Sequence, residues 1–408
     1  MLSNKVNAEI QKMKKRLFIA IHYMEIGGVE RSLIGLLNTI DYSRYDVDLF
    51  VYQHCGEFMS LIPPQVNLLL EIGSYAAIEK PMAQALCEGH VGVVLGRLLA
   101  KWTFAIYNKK HHPKDGSAIF QYVGDCVTPL LPSLEKFGEY DVAISFLTPH
   151  NIVRDKVKAK KKLAWIHTDY TFIEVNAAQE LPVWDAYDRI FAVSEGVKEG
   201  FVNVFPSLAR KVSVFENILS EKFVHEQAMA GQEDIVKDDS LSCLLSVGRF
   251  THAKNFDNVP FVCQKLVEKG LKFKWYLIGF GGEEALIRRN IETTGMQNVC
   301  IILGKKTNPY PYMAACDVYV QPSRFEGKAV TVRETQIIGK PVIIADYATA
   351  HSQVQDGVDG IIVPLDNDGM ADGIAKFLQD KQKCQQITAY LQTHHYGNED
   401  EVKKLEIA

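Results

Sequence analysis

One pattern recurs along the chain: a short uninterrupted apolar run, a loop rich in Gly or charge, then a segment with apolar residues at helical spacing. RLFIAIHYM (Arg16 to Met24) is the first such run. VDLFVYQ (Val47 to Gln53), VNLLLEIG (Val66 to Gly73), YDVAISFLTPHN (Tyr140 to Asn151), KLAWIHTDY, RIFAVS and KVSVFEN (Lys211 to Asn217) follow it. Runs of this kind, alternating with helices, read as strands buried on both faces of a parallel α/β sheet. After a polar stretch from Ser220 to Ser240, which reads as an excursion between domains, the series restarts. LSCLLSVGRF (Leu241 to Phe250), KFKWYLIG, VCIILG (Val299 to Gly304), DVYVQPS, PVIIAD and GIIVP supply a second set of strands. The 408 residues suit two cores rather than one. The expectation is two Rossmann-like, doubly wound parallel-sheet domains, residues 1–217 and 218–382, with a C-terminal helix from about 383 to 408 packing back on the first.

The most informative loop is FEGKAVTVRETQIIGKP, Phe325 to Pro341. It follows the strand DVYVQPSR and sets Glu326 and Glu334 across a Gly-containing turn that opens a helix, ended by Gly339 and Pro341. Open α/β sheets place ligands at the carboxyl ends of their strands. Unspent backbone N–H groups at a helix start, here from Gly327 to Thr331, suit a diphosphate. Glu334, in the expected first turn, is placed to accept from two vicinal hydroxyls such as those of a ribose, and Glu326 to face whatever lies beyond the phosphates. An ordinary helix with acids near its positive end would carry the same letters.

Other loops add to this. Arg249 and Lys254, five apart beside a Gly after a strand, are suited to a diphosphate through charge-assisted hydrogen bonds. Gly27 and Gly28 let the backbone pass close to a ligand or simply make a tight turn. His167 ends a strand and could hydrogen-bond a hydroxyl-rich ligand, or be satisfied within the fold. The GFGG turn at Gly279 to Gly282 is poor evidence for a dinucleotide, since the third Gly of GxGxxG is missing.

Charge and cysteine usage set limits. A net charge of −4 gives no global attraction to nucleic acid. The eight cysteines form no CxxC pair and no zinc spacing, so reduced thiols and a cytoplasmic setting are expected. The N-terminus carries no secretory pattern, and its apolar run is too short to span a bilayer. Two basic stretches, Arg97 to His112, which runs from inside the long apolar segment Lys80 to Lys110 to just beyond it, and Arg154 to Lys162, read as solvated faces or as attraction to an anionic membrane surface.

Taken in order, GGVER, WIHTDY, VSEGVKEGF, SVGRFTHAKNFD, the NPY loop, FEGKAVTVRE and YATAHSQVQDGVDGIIVP resemble the retaining GT-B glycosyltransferases of the glycogen-synthase-like superfamily, group 1. The likeness runs from about residue 16 to 400 and is greatest to bacterial enzymes of capsule, exopolysaccharide or teichoic-acid synthesis. It implies two Rossmann-like domains facing a central cleft. Arg249 and Lys254 would bind the donor diphosphate, and Glu334 the ribose. Glu326 would contact the donor sugar, with the backbone from Gly327 through Lys328 and Ala329 to Val330 at the phosphates. Gly28 would lie under the donor, His167 near the transferred sugar, and Asn308 to Tyr310 at the base. Lys328 replaces an aromatic common elsewhere in the family, which bears on sugar identity. The implied donor is a nucleotide-diphosphate sugar, with UDP as the nucleotide. No DxD carboxylate pair is seen that would hold a metal, and no metal is expected. The implied acceptor is a saccharide or is lipid-linked, with peripheral contact to an anionic inner membrane face. A non-catalytic sugar-nucleotide-binding partner of a polysaccharide complex, or a nucleotide-sugar epimerase, remains as an alternative.

Overall fold

The structure, a computed structural model, describes residues 14–231, 235, 238, 240–327 and 329–407. The chain forms two compact units: residues up to Ile218 together with the segment from Glu399, and Leu219–Asn398.

In the first unit, β1 (Lys15–Ile21), β2 (Tyr45–Val51), β3 (Asn67–Leu68), β4 (Tyr140–Ser145), β5 (Ala159–Ile166), β6 (Arg189–Ala192) and β7 (Val212–Val214) form one sheet in the order β3-β2-β1-β4-β5-β6-β7. Its strands pair in parallel, with Leu17 opposite both Val47 and Val142. The apolar runs explain this: Phe18, Phe50, Ala143, Ala164 and Ile190 are buried in a single core beneath the flanking helices. Each large side chain so buried contributes roughly 1.5–3 kcal/mol. Strand order reverses between β1 and β4, which makes their carboxyl ends the ligand position of this sheet.

The second unit repeats the plan. β8 (Ser242–Val247), β9 (Phe273–Ile278), β10 (Cys300–Gly304), β11 (Val318–Gln321), β12 (Val342–Ala345) and β13 (Ile361–Val363) pair in the order β10-β9-β8-β11-β12-β13. The reversal falls between β8 and β11. Inside this sheet the Trp275 indole donates to Ser246 Oγ at 2.9 Å, and that hydroxyl donates to the Val320 carbonyl at 2.6 Å. Buried polar groups on three neighbouring strands are thereby satisfied. Two glycines of the GFGG turn, Gly279 and Gly281, are explained by packing. A Cβ on Gly279, whose φ is +155°, would lie 1.9 Å from the Gly248 carbonyl oxygen, so the turns after β8 and β9 touch backbone to backbone.

Several expectations are corrected. The strand read from Val66 to Gly73 is only the two-residue edge strand β3; Leu70 beyond it is exposed, and Gly73–Glu79 is helical. An edge position with one neighbour gives little to extend it. Ser220 to Met229 is no irregular excursion: Ser220 caps the helix Glu221–Met229, which packs on the helices Tyr310–Ala315 and Val330–Ile338. The C-terminal helix, Lys381–Thr393, belongs to the second unit, because Ile387 and Leu391 are buried in that unit's core. Only the segment from Glu399 returns to the first. There Glu401 accepts from the Glu216 amide at 2.8 Å, Lys404 donates to the Val214 carbonyl at 2.9 Å, and Leu405 is buried.

Candidate functional site

The loops that leave β8 and β11, the two strands at the reversal of the second sheet, are laced together. Asn255 ends the short 3-10 turn His252–Lys254 in the left-handed region, with φ 59°. It is buried, and its amide donates to the Pro322 carbonyl at 2.8 Å. Arg324 grips Asp257 with two hydrogen bonds of 2.8 Å and donates to the His252 carbonyl at 2.7 Å. Bidentate contacts of this kind fix direction as well as distance. Their result is that Lys254 Nζ stands 2.5 Å from Glu326 Oε1. That same carboxylate oxygen accepts from Ser323 Oγ at 2.6 Å and from Gln321 Nε2 at 3.1 Å. The Glu326 side chain is 10% exposed and that of Lys254 23% exposed, so the pair sits at a wall rather than in open solvent. Arg249, on the same loop as Lys254, is exposed and has no side-chain partner among the described residues.

The helix that follows begins at Val330, later than the sequence suggests. The Ala329 amide is already spent on Gln353 Oε1 at 2.9 Å, and Gln353 Nε2 donates to the Gly327 carbonyl at 3.2 Å. Thr349 Oγ1 holds the Glu326 carbonyl at 2.8 Å. The amides of Val330 and Thr331 open the helix, where no intrahelical acceptor exists for them. Because the helix starts late, Glu334 lies in its second turn, not its first. It is fully buried and accepts from the Tyr310 hydroxyl at 2.7 Å. Two residues expected to touch the nucleotide thus touch each other. Asn308 is committed within the protein: its Nδ2 donates to the Gln227 and Ala230 carbonyls, both at 2.8 Å, and its Oδ1 accepts from the Tyr310 amide at 3.1 Å. Lys328 lies outside the described residues.

Arg249, Lys254, Glu326, Gly327, Ala329, Val330, Glu334, Asn308 and Tyr310 are therefore all in the second unit; Gly28 and His167 are in the first. Gly28 opens the helix Gly28–Thr39, and nothing lies within 4 Å of where its Cβ would be, so packing does not require a glycine there. The room it leaves is the room a close-lying ligand needs. His167 follows β5 and lines a cavity of about 520 Å³ at the first sheet's reversal, with His22, Tyr23, His150, Trp184 and Glu180. Burial pushes both His150 and His167 down to about 3, so each ring is neutral at physiological pH. Nε2 of His22, His150 and His167 is buried without a hydrogen-bond partner among the described residues. His22 Nδ1 is 2.8 Å from Glu79, and His150 Nδ1 is 2.8 Å from Ser145 Oγ. Among the described residues, no three His, Cys, Asp or Glu side chains converge as a metal site.

The residues missed by sequence reading are the braces: Asn255, Asp257, Gln321, Ser323, Arg324, Thr349 and Gln353. Asn255 offered the one local signal, as a residue type that tolerates the left-handed region.

Two parallel α/β sheets, each reversing strand order beside a polar site, define a GT-B protein. Solved structures agree: HepE from Anabaena, solved with UDP-glucose, superposes with a TM-score of 0.59 at 16% identity, covering 97% of this chain and 100% of that one. TarM from S. aureus gives 0.62 at 11% identity, covering 96% and 98%. Residues 231–394 match the family model described as glycosyl transferases group 1. An N-acetylgalactosaminyltransferase of Campylobacter jejuni that acts on a diphospho-undecaprenol-linked sugar is 26% identical over 195 residues, 47% of this chain and 51% of that protein. The putative glycosyltransferase EpsF of Bacillus subtilis is 31% identical over 103 residues, 25% of this chain and 27% of that protein. The chain spans about half the length of the first of these curated relatives and about a quarter of the second. The second unit thus carries the match to the group 1 glycosyl transferases, and the chain as a whole shares the GT-B fold of the solved structures.

Proposed function

We propose that the chain transfers a sugar, with retention of anomeric configuration, from a UDP-sugar to a saccharide or lipid-linked acceptor in the building of a cell-surface polysaccharide such as capsule or exopolysaccharide. The observation that carries this reading is the Lys254–Glu326 pair, braced at the reversal of the second sheet beside the open start of the Val330–Ile338 helix. Departure of a nucleotide diphosphate builds negative charge, and the main catalytic task is to meet it with charge already in position. Lys254, Arg249 and the amides of Val330 and Thr331 supply that charge, with no metal needed. Glu326 orients Lys254 and accepts from hydroxyls of the donor sugar. Glu334 holds the ribose, with Tyr310 fixing its carboxylate. Both acids are binding residues, not the acid and base of a hydrolase. The acceptor hydroxyl attacks the anomeric carbon from the face the diphosphate leaves, the C–O bond to phosphate breaks, and the departing phosphate oxygen takes the proton. The neutral rings of His150 and His167 offer Nε2 to acceptor or sugar hydroxyls without adding charge. UDP is the nucleotide that accompanies the solved HepE and TarM neighbours, and this supports it here.

The test is a melting panel with UDP, GDP and ADP, on wild type and Glu334→Gln, followed by transfer assays with UDP-sugars in the presence of EDTA. Stabilisation by UDP alone, weakened in the variant, with transfer surviving EDTA, is expected. Binding without transfer to any acceptor would favour a non-catalytic partner; interconversion of the free nucleotide sugar would favour an epimerase. Either result overturns the proposal.

A further inference from the structure

The helix Val91–His111 is apolar on two sides. One side is accounted for: Val93, Val94 and Ala100 are buried, and the helix packs on Ile119–Val127. The other side is not. Val91, Leu95, Leu98, Leu99, Trp102 and Ile106 are between 47% and 63% exposed, with Trp102 the highest. At about 100° per residue these six fall within an arc of roughly 100°, facing away from the packed side. Scattered exposed apolar residues need no explanation, but a contiguous stripe of six large ones marks a surface that is covered in use.

Charge selects what covers it. The helix, VGVVLGRLLAKWTFAIYNKKH, contains no Asp or Glu. Lys101, Lys109 and Lys110 are exposed and make no ion pair among the described residues. The other basic stretch behaves differently: Arg154 pairs with Asp155, Lys158 with Glu139 and Lys160 with Asp141. Three of its six cations are thus paired with acids of the protein itself, whereas Lys101, Lys109 and Lys110 of the 91–111 helix are not. A second copy of the helix offers no acid to meet these lysines. An anionic lipid surface offers both an apolar interior for the stripe and negative headgroups for the cations beside it. The helix is not long and apolar enough to cross a membrane, so the fit is to lying in the interface.

We propose that Val91–His111 is a membrane-docking helix, its Leu95–Leu98–Trp102 face set into the headgroup boundary of an anionic bilayer and Lys109 and Lys110 against the headgroups. Arg97, Lys101 and Phe120 line the cavity that also holds His167, so docking brings that cavity beside the lipid surface. An acceptor carried on a lipid would reach it without leaving the bilayer.

The experiment is flotation of the full chain with vesicles of phosphatidylcholine, with and without phosphatidylglycerol. It compares wild type with Leu95→Glu/Trp102→Glu and with Lys109→Glu/Lys110→Glu. These positions are exposed, and an unchanged melting temperature verifies folding. Wild type is expected to float with the anionic vesicles only, and each double variant to lose at least about tenfold in partitioning, the charge variant mirroring the effect of high salt. Equal recovery with neutral vesicles, or flotation unaffected by Leu95→Glu/Trp102→Glu, overturns the proposal. So does a wild-type dimer in sedimentation that the apolar variant makes monomeric without any flotation, which would assign the stripe to a second copy. Flotation is read without donor or transfer, so its outcome is independent of the glycosyltransferase reading.

Discussion

At the scale of single residues, the candidate site depends on where Lys254 is held. Lys254→Ala is expected to lower transfer by about 10²-fold or more, the scale of losing one preorganised charge stabiliser. Melting without nucleotide should change little, since the pair is at a wall and not in the core. A steady-state assay with saturating acceptor checks this. Arg324→Lys should act at one remove: the two-pronged grip on Asp257 is lost, the His252–Lys254 turn loosens, and kcat falls while the chain stays folded. Gly28→Ala is a different test. Nothing in the protein obstructs a methyl group there, so stability should hold, while a donor lying close to the backbone would be pushed away and its KM raised about tenfold or more. An unchanged KM would remove Gly28 from the site. Sequence reading singled out Lys254, Arg249, Glu326 and Glu334 as candidates because charges beside a strand end are conspicuous. It could not find Gln321, Ser323 or Gln353, whose hydrogen bonds join positions far apart in the chain and leave no periodic trace.

At the scale of elements, strands were more legible than their partners. Runs such as Leu163 to Ile166 are buried on both faces and declare themselves. Helix starts were harder. The turn at Gly327 to Ala329 is held by Gln353 and Thr349 from another loop, which delays the helix to Val330 and moves Glu334 one turn inward. Contact between turns was also invisible. Gly279 reads as part of a failed dinucleotide motif, yet it serves the approach of the β9 turn to Gly248. Gly279→Ala is expected to destabilise by on the order of 2 kcal/mol or more, from clash and an unfavourable φ together. Urea unfolding should show a lower midpoint, and transfer should fall too, because Gly248 begins the loop that carries Arg249 and Lys254.

At the scale of the whole molecule, two separate cores predict two unfolding events that answer to different variables. His150 and His167 are in the first unit. Their folded values near 3 lie below the free value of about 6.5. Between those values the unfolded chain binds more protons than the folded one, so stability is full above about 6.5 and is lost as pH falls toward 3. Glu180, raised by burial, works in the opposite sense. Calorimetry should show one transition that drops on acidification and is flattened by His150→Gln, and another that rises with UDP. A single transition moved by both would refute this assignment.

The return of the segment from Glu399 to the first unit has a consequence for how the protein is made. In chain order the second unit is an insertion, complete at Asn398, whereas the first closes only when Glu401, Lys404 and Leu405 have been added. On the ribosome, the unit begun first is therefore the last to be finished, and its β7 margin waits uncovered while all of the other unit is synthesised.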